Sequence, residues 1–424
     1  MIGPLPALAR HAAPLVSAAA LALPVLVIVS RSAAEAVLGL LAAAMLVRLA
    51  LGRAAEAWRA PWFLAACAYW AWLVLATLLA GASLERLAVA LAWIRFPLAL
   101  LAVCSWALGP EAMRRHALWV SGGASLFVAL ETWAQFLLGR GLTGTGRALP
   151  GYLSGPFARP RVGAYLGMLM WPALFAGVSA LMRQGLAGAA GAAAVCAFAF
   201  GAVLLSGQRV MAISVLLLLL AGALLLPALR RPVLAAVAAG ALLAAAAPLF
   251  APDAFARYAE QFPRLIAGFG DSHYGQILAR TLAIAEASPW IGHGAEAFRH
   301  LCRDPRFFVG WGGAGDGGGA EICVPHPHNH YLEALADGGM TGLLLFGLFQ
   351  GLLALALLRG LLAGGRDPVL VGLALPVLLS VWPLQTSAAF AGIESAGPRT
   401  FIAGWALAAA AEALRRRAGP TSSA

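Results

Sequence analysis

Apolar residues run along this chain in long, nearly unbroken blocks, separated by short polar or arginine-bearing turns. A helix needs about 20 apolar residues to cross a bilayer, and by that measure the chain holds about twelve such blocks. They lie near 13–30, 34–52, 62–81, 88–108, 117–138, 162–182, 187–207, 210–229, 233–251, 339–358, 369–386 and 399–415. The pattern predicts an all-α integral membrane protein. Spans one to nine fall within 1–251, one long polar segment covers 252–338, and spans ten to twelve with a short tail fall within 339–424. No internal repeat is evident. The first block is followed by many more, so it reads as a retained helix and not as a cleaved signal peptide.

Composition sharpens this reading. Of 424 residues, 62% are hydrophobic and 11% charged, against about 25% charged in a soluble domain. All 29 basic residues are arginine. With the N-terminus in the cytoplasm, Arg53, Arg59, Arg114, Arg115, Arg183, Arg230, Arg231, Arg359, Arg366, Arg415, Arg416 and Arg417 all fall on the inner side, as the positive-inside rule requires. Both termini are then cytoplasmic and 252–338 is periplasmic. The net charge of +11 does not point to nucleic acid, for which no motif is present.

A second set of arginines breaks the rule. Arg140, Arg147, Arg159 and Arg161 precede the sixth span, Arg209 ends the seventh, and the long segment adds Arg257, Arg264, Arg280, Arg299, Arg303 and Arg306. Arginine not needed for topology suggests a bound anion, because guanidinium makes forked bonds to phosphate. Beside a membrane, that anion is expected to be a lipid-linked pyrophosphate. The plainer alternative is contact with membrane-lipid headgroups, or pairing with Asp253, Glu260, Asp271, Glu286 and Asp304. Arg209 stands out because it interrupts a stretch that is otherwise nearly continuously apolar from Ala187 to Leu229, and intramembrane charge is costly. Glu131 and Arg95, inside spans five and four, are expected to pair across helices. Arg48 can snorkel to the surface.

The richest chemistry lies in Pro325-His326-Pro327-His328-Asn329-His330-Tyr331, directly before the apolar run from Leu343. Histidine suits proton transfer near neutral pH. Asn329 is a good helix cap. A helix starting there puts His330, Glu333 and Asp337 on one face and His328 at its entrance. In an extended segment the three histidines would share a face, but no other His or Cys with ligand spacing supports a metal. Cys302 and Cys323 can close a disulfide in an oxidising periplasm, or remain two thiols. The segment Gly310–Gly319 lacks the Gly-Lys-Ser/Thr end of a phosphate loop and reads as a flap.

His328-Asn329, nine residues, Gly339, two residues and Gly342 together resemble the signature of the bacterial O-antigen ligase family, whose superfamily includes O-antigen polymerases. The order Arg209, then Arg280 followed by Pro289-x-x-Gly292-x-Gly294 and Phe298, is similar to that superfamily too. So is Gly155-Pro156-Phe157, although Ala158-Arg159-Pro160 stands where the family's usual Asn would be. The resemblance implies a polytopic glycosyltransferase of the bacterial inner membrane. Its donor would be a polysaccharide on undecaprenyl pyrophosphate, and its acceptor a sugar hydroxyl of lipid A–core. His328 would be the general base, with Arg209 and Arg280 holding the pyrophosphate. Arg159, Arg161, Asn329, His326 and His330 would bind substrate. Gly339 and Gly342 would allow close helix packing. No metal or cofactor is expected, and single displacement would invert the anomeric centre. The rival readings are a glycan polymerase of the same superfamily and a transporter, which would show inverted repeats and broken helices.

Overall fold

The computed structural model describes residues 5–54, 56–147, 149, 151–308, 322–385 and 389–419. Among them there is no strand, only two isolated bridges, Arg140–Gly146 and Leu149–Tyr152. The first half comprises α1 (Leu5–Val29), α2 (Arg31–Ala50), α3 (Pro61–Leu79), α4 (Leu84–Ala92), α5 (Arg95–Ala102), α6 (Glu111–Leu138), α7 (Val162–Leu169), α8 (Trp171–Leu181), α9 (Gly185–Leu205), α10 (Arg209–Leu225) and α11 (Arg230–Phe250). Four short helices follow: α12 (Pro252–Ala256), α13 (Phe262–Ala267), α14 (His273–Ala287) and α15 (Ala297–Leu301). The chain ends with α16 (His330–Gly364), α17 (Pro368–Ser380) and α18 (Ile393–Ala418).

Helix overlies each apolar block of the sequence. Among the described residues, six helical stretches are long and apolar enough to cross a membrane: Arg31–Ala50, Pro61–Leu79, Leu84–Ala107, Trp171–Leu205, Pro227–Phe250 and His330–Gly364. Ala13–Val29, Arg209–Leu225 and Pro368–Ser380 are apolar but shorter. The apolar surface is not all used inside the protein. In Pro227–Phe250 only 17% of the apolar window is buried, and Leu186, Leu224, Leu249 and Leu362 point outward. A water-soluble protein would not leave such a continuous apolar surface exposed.

The core sits where α16 runs between α3 and α18. Aromatic rings fill it: Tyr69, Trp93, Phe346, Phe349 and Phe390 stand edge to face, with Trp93 stacked on Phe390. Where helices touch directly, small residues permit it. A Cβ on Gly404 of α18 would come within 2.7 Å of Val103 Cβ. The expected Glu131–Arg95 pair does not form, because each has a partner closer to hand. Arg95 meets Glu35 at 3.5 Å, while Glu131 turns to its own C-terminal loop and accepts from Thr143 N at 2.8 Å.

α16 begins at His330, nine residues before the apolar block at 339, and it is broken at Gly339 (φ 63°, ψ −163°). The apolar pattern carries no sign of that break. From Met340 to Gly364 the helix is about 37 Å long at 1.5 Å per residue, enough by itself for a hydrocarbon core of about 30 Å. The part before the break therefore extends beyond that length.

At Gly339 the backbone lies in a region that only glycine occupies readily, costing any other residue about 1–3 kcal/mol. A Cβ there would also stand 2.4 Å from the Trp290 carbonyl carbon. Gly339→Ala is expected to lower the unfolding temperature in detergent clearly. Gly351→Ala, whose Cβ would meet nothing within 4 Å, should not. Equal unfolding temperatures for the two variants would contradict this account of the break.

Candidate functional site

The entrance of α16 is fastened on three sides. Asn329 caps it, Oδ1 accepting from Tyr331 N at 2.9 Å and Leu332 N at 3.0 Å. The Asn329 amide donates to Pro383 O at 2.6 Å, and the Tyr331 hydroxyl donates to Val381 O at 2.6 Å. Both bonds reach the segment after α17. Asn329 is thus placed as the cap and tie of the helix that carries the histidines.

The three histidines do not share one face. His328 has φ 54°, a left-handed conformation that reverses the chain just before the cap and ends the extended pattern. Its ring lies 4.5 Å from that of His326 and 5.5 Å from that of Tyr274 on α14. His330 instead turns into the core, buried against Phe390 at 5.2 Å. His326 is packed so that Nδ1 is buried and has no hydrogen-bond partner among the described residues. Burial first, and the neighbouring His328 second, hold the His326 imidazole down to about 4. At neutral pH it is a neutral ring beside His328.

Beneath this junction the break in α16 is filled by a loop. In an unbroken helix Met340 N would bond Ala336 O. Here Met340 N donates to Pro289 O at 2.7 Å, and Ala336 O accepts from His293 N at 3.1 Å. Asp337 O accepts from Gly294 N at 2.8 Å, and Gly338 O from Trp72 Nε1 at 2.7 Å. The next three loop amides are met by side chains. Ala295 N donates to Thr77 Oγ1 at 3.0 Å, and Glu296 N and Ala297 N donate to the Asp337 carboxylate at 3.2 and 2.8 Å. Arg86 of α4 clasps the carbonyls of the loop, Nε on Ala295 O at 2.7 Å and Nη2 on His293 O and Gly294 O at 2.6 and 3.1 Å. The expected Pro289-x-x-Gly292-x-Gly294 and Gly339 elements therefore meet. A Cβ on Gly292 would stand 2.4 Å from Asp337 O and Gly339 N. Gly339 serves a helix break that receives a loop, in place of the helix-on-helix packing expected of it; Gly342 packs beside Trp72.

Next to this loop, Cys302 and Cys323 form a disulfide. It belongs to a small apolar cluster with Ile277, Ile284, Phe298 and Phe307. Arg280 is only 4% exposed there. Its Nη1 donates to Cys302 O at 2.6 Å and its guanidinium lies 4.3 Å from the Phe308 ring centre. Burial lowers its pKa. α14 thus carries Tyr274 against His328 and, about 9 Å further along its axis, Arg280 against the disulfide strand. The segment Gly310–Gly319, expected to form a flap, lies outside the described residues.

Arg209 opens α10, with its guanidinium 5.8 Å from the Phe262 ring centre of α13. The turn before it is tied to the segment after Gly151: Leu153 N donates to Ser206 O at 3.4 Å. With its amide turned toward α7, Gln208 Oε1 accepts from Val162 N and Gly163 N at 3.1 Å and from Arg161 N at 3.3 Å. Gly155 is gripped by Gln135 at its N–H and its carbonyl, both at 2.9 Å. Arg161 is ion-paired to Glu394, and Arg159 is exposed.

The structure adds charged residues that the sequence reading passed over: Arg31, Arg86, Asp337 as a cap, Glu394 and Arg399. Arg399 is half-buried in α18 over the Phe390 ring at 4.2 Å, donating to Ser395 Oγ at 2.7 Å. Arg31 and Arg86 were findable, because the expected topology puts both on the side where arginine is not needed. Among the described residues, no three His, Cys, Asp or Glu side chains gather as a metal site.

Residues 192–347 match the O-Antigen ligase family model. The match takes in Arg209, Arg280, the 289–294 loop, His328 and the break at Gly339, so the resemblance seen in the motifs holds over this part of the chain. Gly155-Pro156-Phe157 lies outside it. Members of this family are membrane glycosyltransferase-like enzymes, ligases or polymerases. No curated protein matches the chain.

The low value at His326 gives a pH prediction. An imidazole held below its unfolded value of about 6.5 contributes stability that is complete above that value and is lost as pH falls toward 4. Hydrogen exchange of 322–329 should therefore quicken between pH 6.5 and 4, and His326→Gln should flatten that dependence. A pH-independent wild-type rate, after correction for intrinsic exchange, would contradict it.

Proposed function

We propose that the protein is an O-antigen ligase, transferring polysaccharide from undecaprenyl pyrophosphate to a sugar hydroxyl of lipid A–core. In this reading about twelve helices cross the inner membrane, both termini are cytoplasmic, and the 252–338 segment with the histidine junction lies in the periplasm. The observation that carries the reading is His328. It is the histidine set at a left-handed turn on the helix entrance, with α14 of the long segment against its ring, inside the residues that match the family.

The proposed chemistry is a single displacement. The acceptor oxygen attacks the anomeric carbon, its proton passes to His328, and the bond to pyrophosphate breaks with inversion. General-base help of this kind is worth about 10²–10⁴-fold. The neutral His326 ring lets His328 take up a proton without a second cation beside it. Arg209 balances the charge on the leaving pyrophosphate, where electrostatic help counts most. Arg280 is assigned a positioning part: bonded to the Cys302 carbonyl, it holds the disulfide-tied segment against α14. Arg159 and Arg161 extend the positive surface toward the donor. Asn329, the cap, and His330, packed on Phe390, act by fixing the helix entrance.

The test mixes purified protein, lipid-linked glycan and lipid A–core, with products read on a gel. A new band that needs lipid A–core is expected, reduced about 10²-fold or more in His328→Ala and strongly in Arg209→Ala, with both variants still folded in the membrane. A ladder of longer glycans formed without lipid A–core would replace the ligase reading by a polymerase. Full activity in His328→Ala would remove the base from the mechanism.

A further inference from the structure

Apart from the histidine junction, the structure links four helix N-termini through side-chain contacts. α2 begins at Arg31 behind its cap Ser30. α18 begins at Ile393 with Glu394 in its first turn. α7 begins behind Arg161, and α10 behind Gln208. Glu394 bonds Arg31 Nε at 2.7 Å through one carboxylate oxygen and Arg161 through the other. Gln208 in turn covers the first amides of α7. Each helix start brings the partial positive charge of its unbonded amides. Arg31, Arg161 and Arg209 bring whole charges, and Arg159 stands two residues from Arg161.

Two guanidiniums on the two oxygens of one anion is the arrangement by which arginines hold phosphate. Here the anion is the protein's own carboxylate. It is outnumbered: Arg31 and Arg161 both bond it, and the charge of Arg159 is felt at Arg161 as well. Arg159 is exposed and forms no ion pair among the described residues. Arg31, with 63% of its side chain exposed, can turn from Glu394 at little cost in packing.

We propose that Arg31, Arg159 and Arg161 form a binding site for a phosphate or diphosphate group, in which Glu394 is a surrogate anion that the ligand displaces. On binding, Arg31 and Arg161 pass from the carboxylate to phosphate oxygens, and Arg159 closes from the open side. Neither Arg31 nor Glu394 belongs to the residue set that points to glycan transfer. Two sources share the ligand chemistry: the phosphate of an anionic membrane phospholipid, and the diphosphate of a lipid-linked donor. The second source rests on the transfer reading above; the site itself does not.

The test is a calorimetric titration of the full chain in detergent with inorganic pyrophosphate. Glu394→Gln keeps the shape and removes the competing charge, so affinity should rise about tenfold, a scale set by charge-assisted bonds. Arg159→Ala, which breaks no ion pair, should weaken binding by a similar factor with the unfolding temperature unchanged. Affinity that is equal or lower in Glu394→Gln overturns the surrogate role, and absence of pyrophosphate binding in all three proteins overturns the site. Repeating the titration in phosphatidylcholine nanodiscs with and without phosphatidylglycerol identifies the source. Competition by phosphatidylglycerol assigns the site to a membrane headgroup; indifference to it assigns the site to a diphosphate ligand. The readout needs no transfer, so an inactive transfer assay would leave it standing, and a failed titration would leave the His328 reading untouched.

Discussion

The structure depends on a helix that is broken and then mended by a loop. Where α16 is interrupted at Gly339, backbone groups lose their helical partners in surroundings with little water to replace them. Each such group left unpaired would cost about 1–3 kcal/mol. The turn from Pro289 to Ala297 supplies the missing partners, so that loop and helix complete one another's hydrogen bonding. Five consecutive amides, His293 to Ala297, are all bonded, three of their carbonyls are clasped by Arg86, and Asp337 caps α15 from across the break. Irregular backbone at the edge of a membrane protein is tolerated where protein satisfies it.

This constraint fixes the surroundings of the proposed base. Because the loop is locked to the break, α14 and the disulfide strand that flank it are held against the first turns of α16. His328 sits where those parts meet, with its ring between His326 and Tyr274. A rigid support suits the base role proposed for it, in which a proton is taken from a substrate hydroxyl at a fixed position. The arginines are distributed by the same logic of compensation. Arg86 and Arg280 spend their donors on backbone carbonyls of the loop, while Arg31 and Arg161 share a carboxylate at a meeting of helix N-termini.

Much of this was legible in the apolar pattern, because a helix in lipid must be long and apolar whatever it packs against. The capping role of Asn329 followed from a residue type with a narrow conformational use, whereas the meeting of the Gly292–Gly294 and Gly339 elements came only with the fold. The break itself was not legible. Gly339 stands beside Gly338 at the start of an apolar run, and glycine at a helix start reads equally as packing. Nor were the partners of charges: Glu131 and Arg95 look complementary in sequence, yet each found a nearer group once the loop after α6 and the start of α2 were in place. Arg31 and Arg86 lie in turns of a few residues on the side where topology needs no arginine, so their presence was legible but their partners were not. The turn at His328 depends on a positive φ in a non-glycine residue, for which sequence carries no signal.

The central claim is that the 289–297 loop is part of the helix it mends. Hydrogen exchange resolved at His293, Gly294, Ala295, Glu296 and Ala297 tests it most directly. The account predicts that these five loop amides are protected to the same degree as amides in the middle of α16, and that Arg86→Ala or Asp337→Ala releases them together. Exchange at the rate of an open surface loop in the wild-type protein would contradict it.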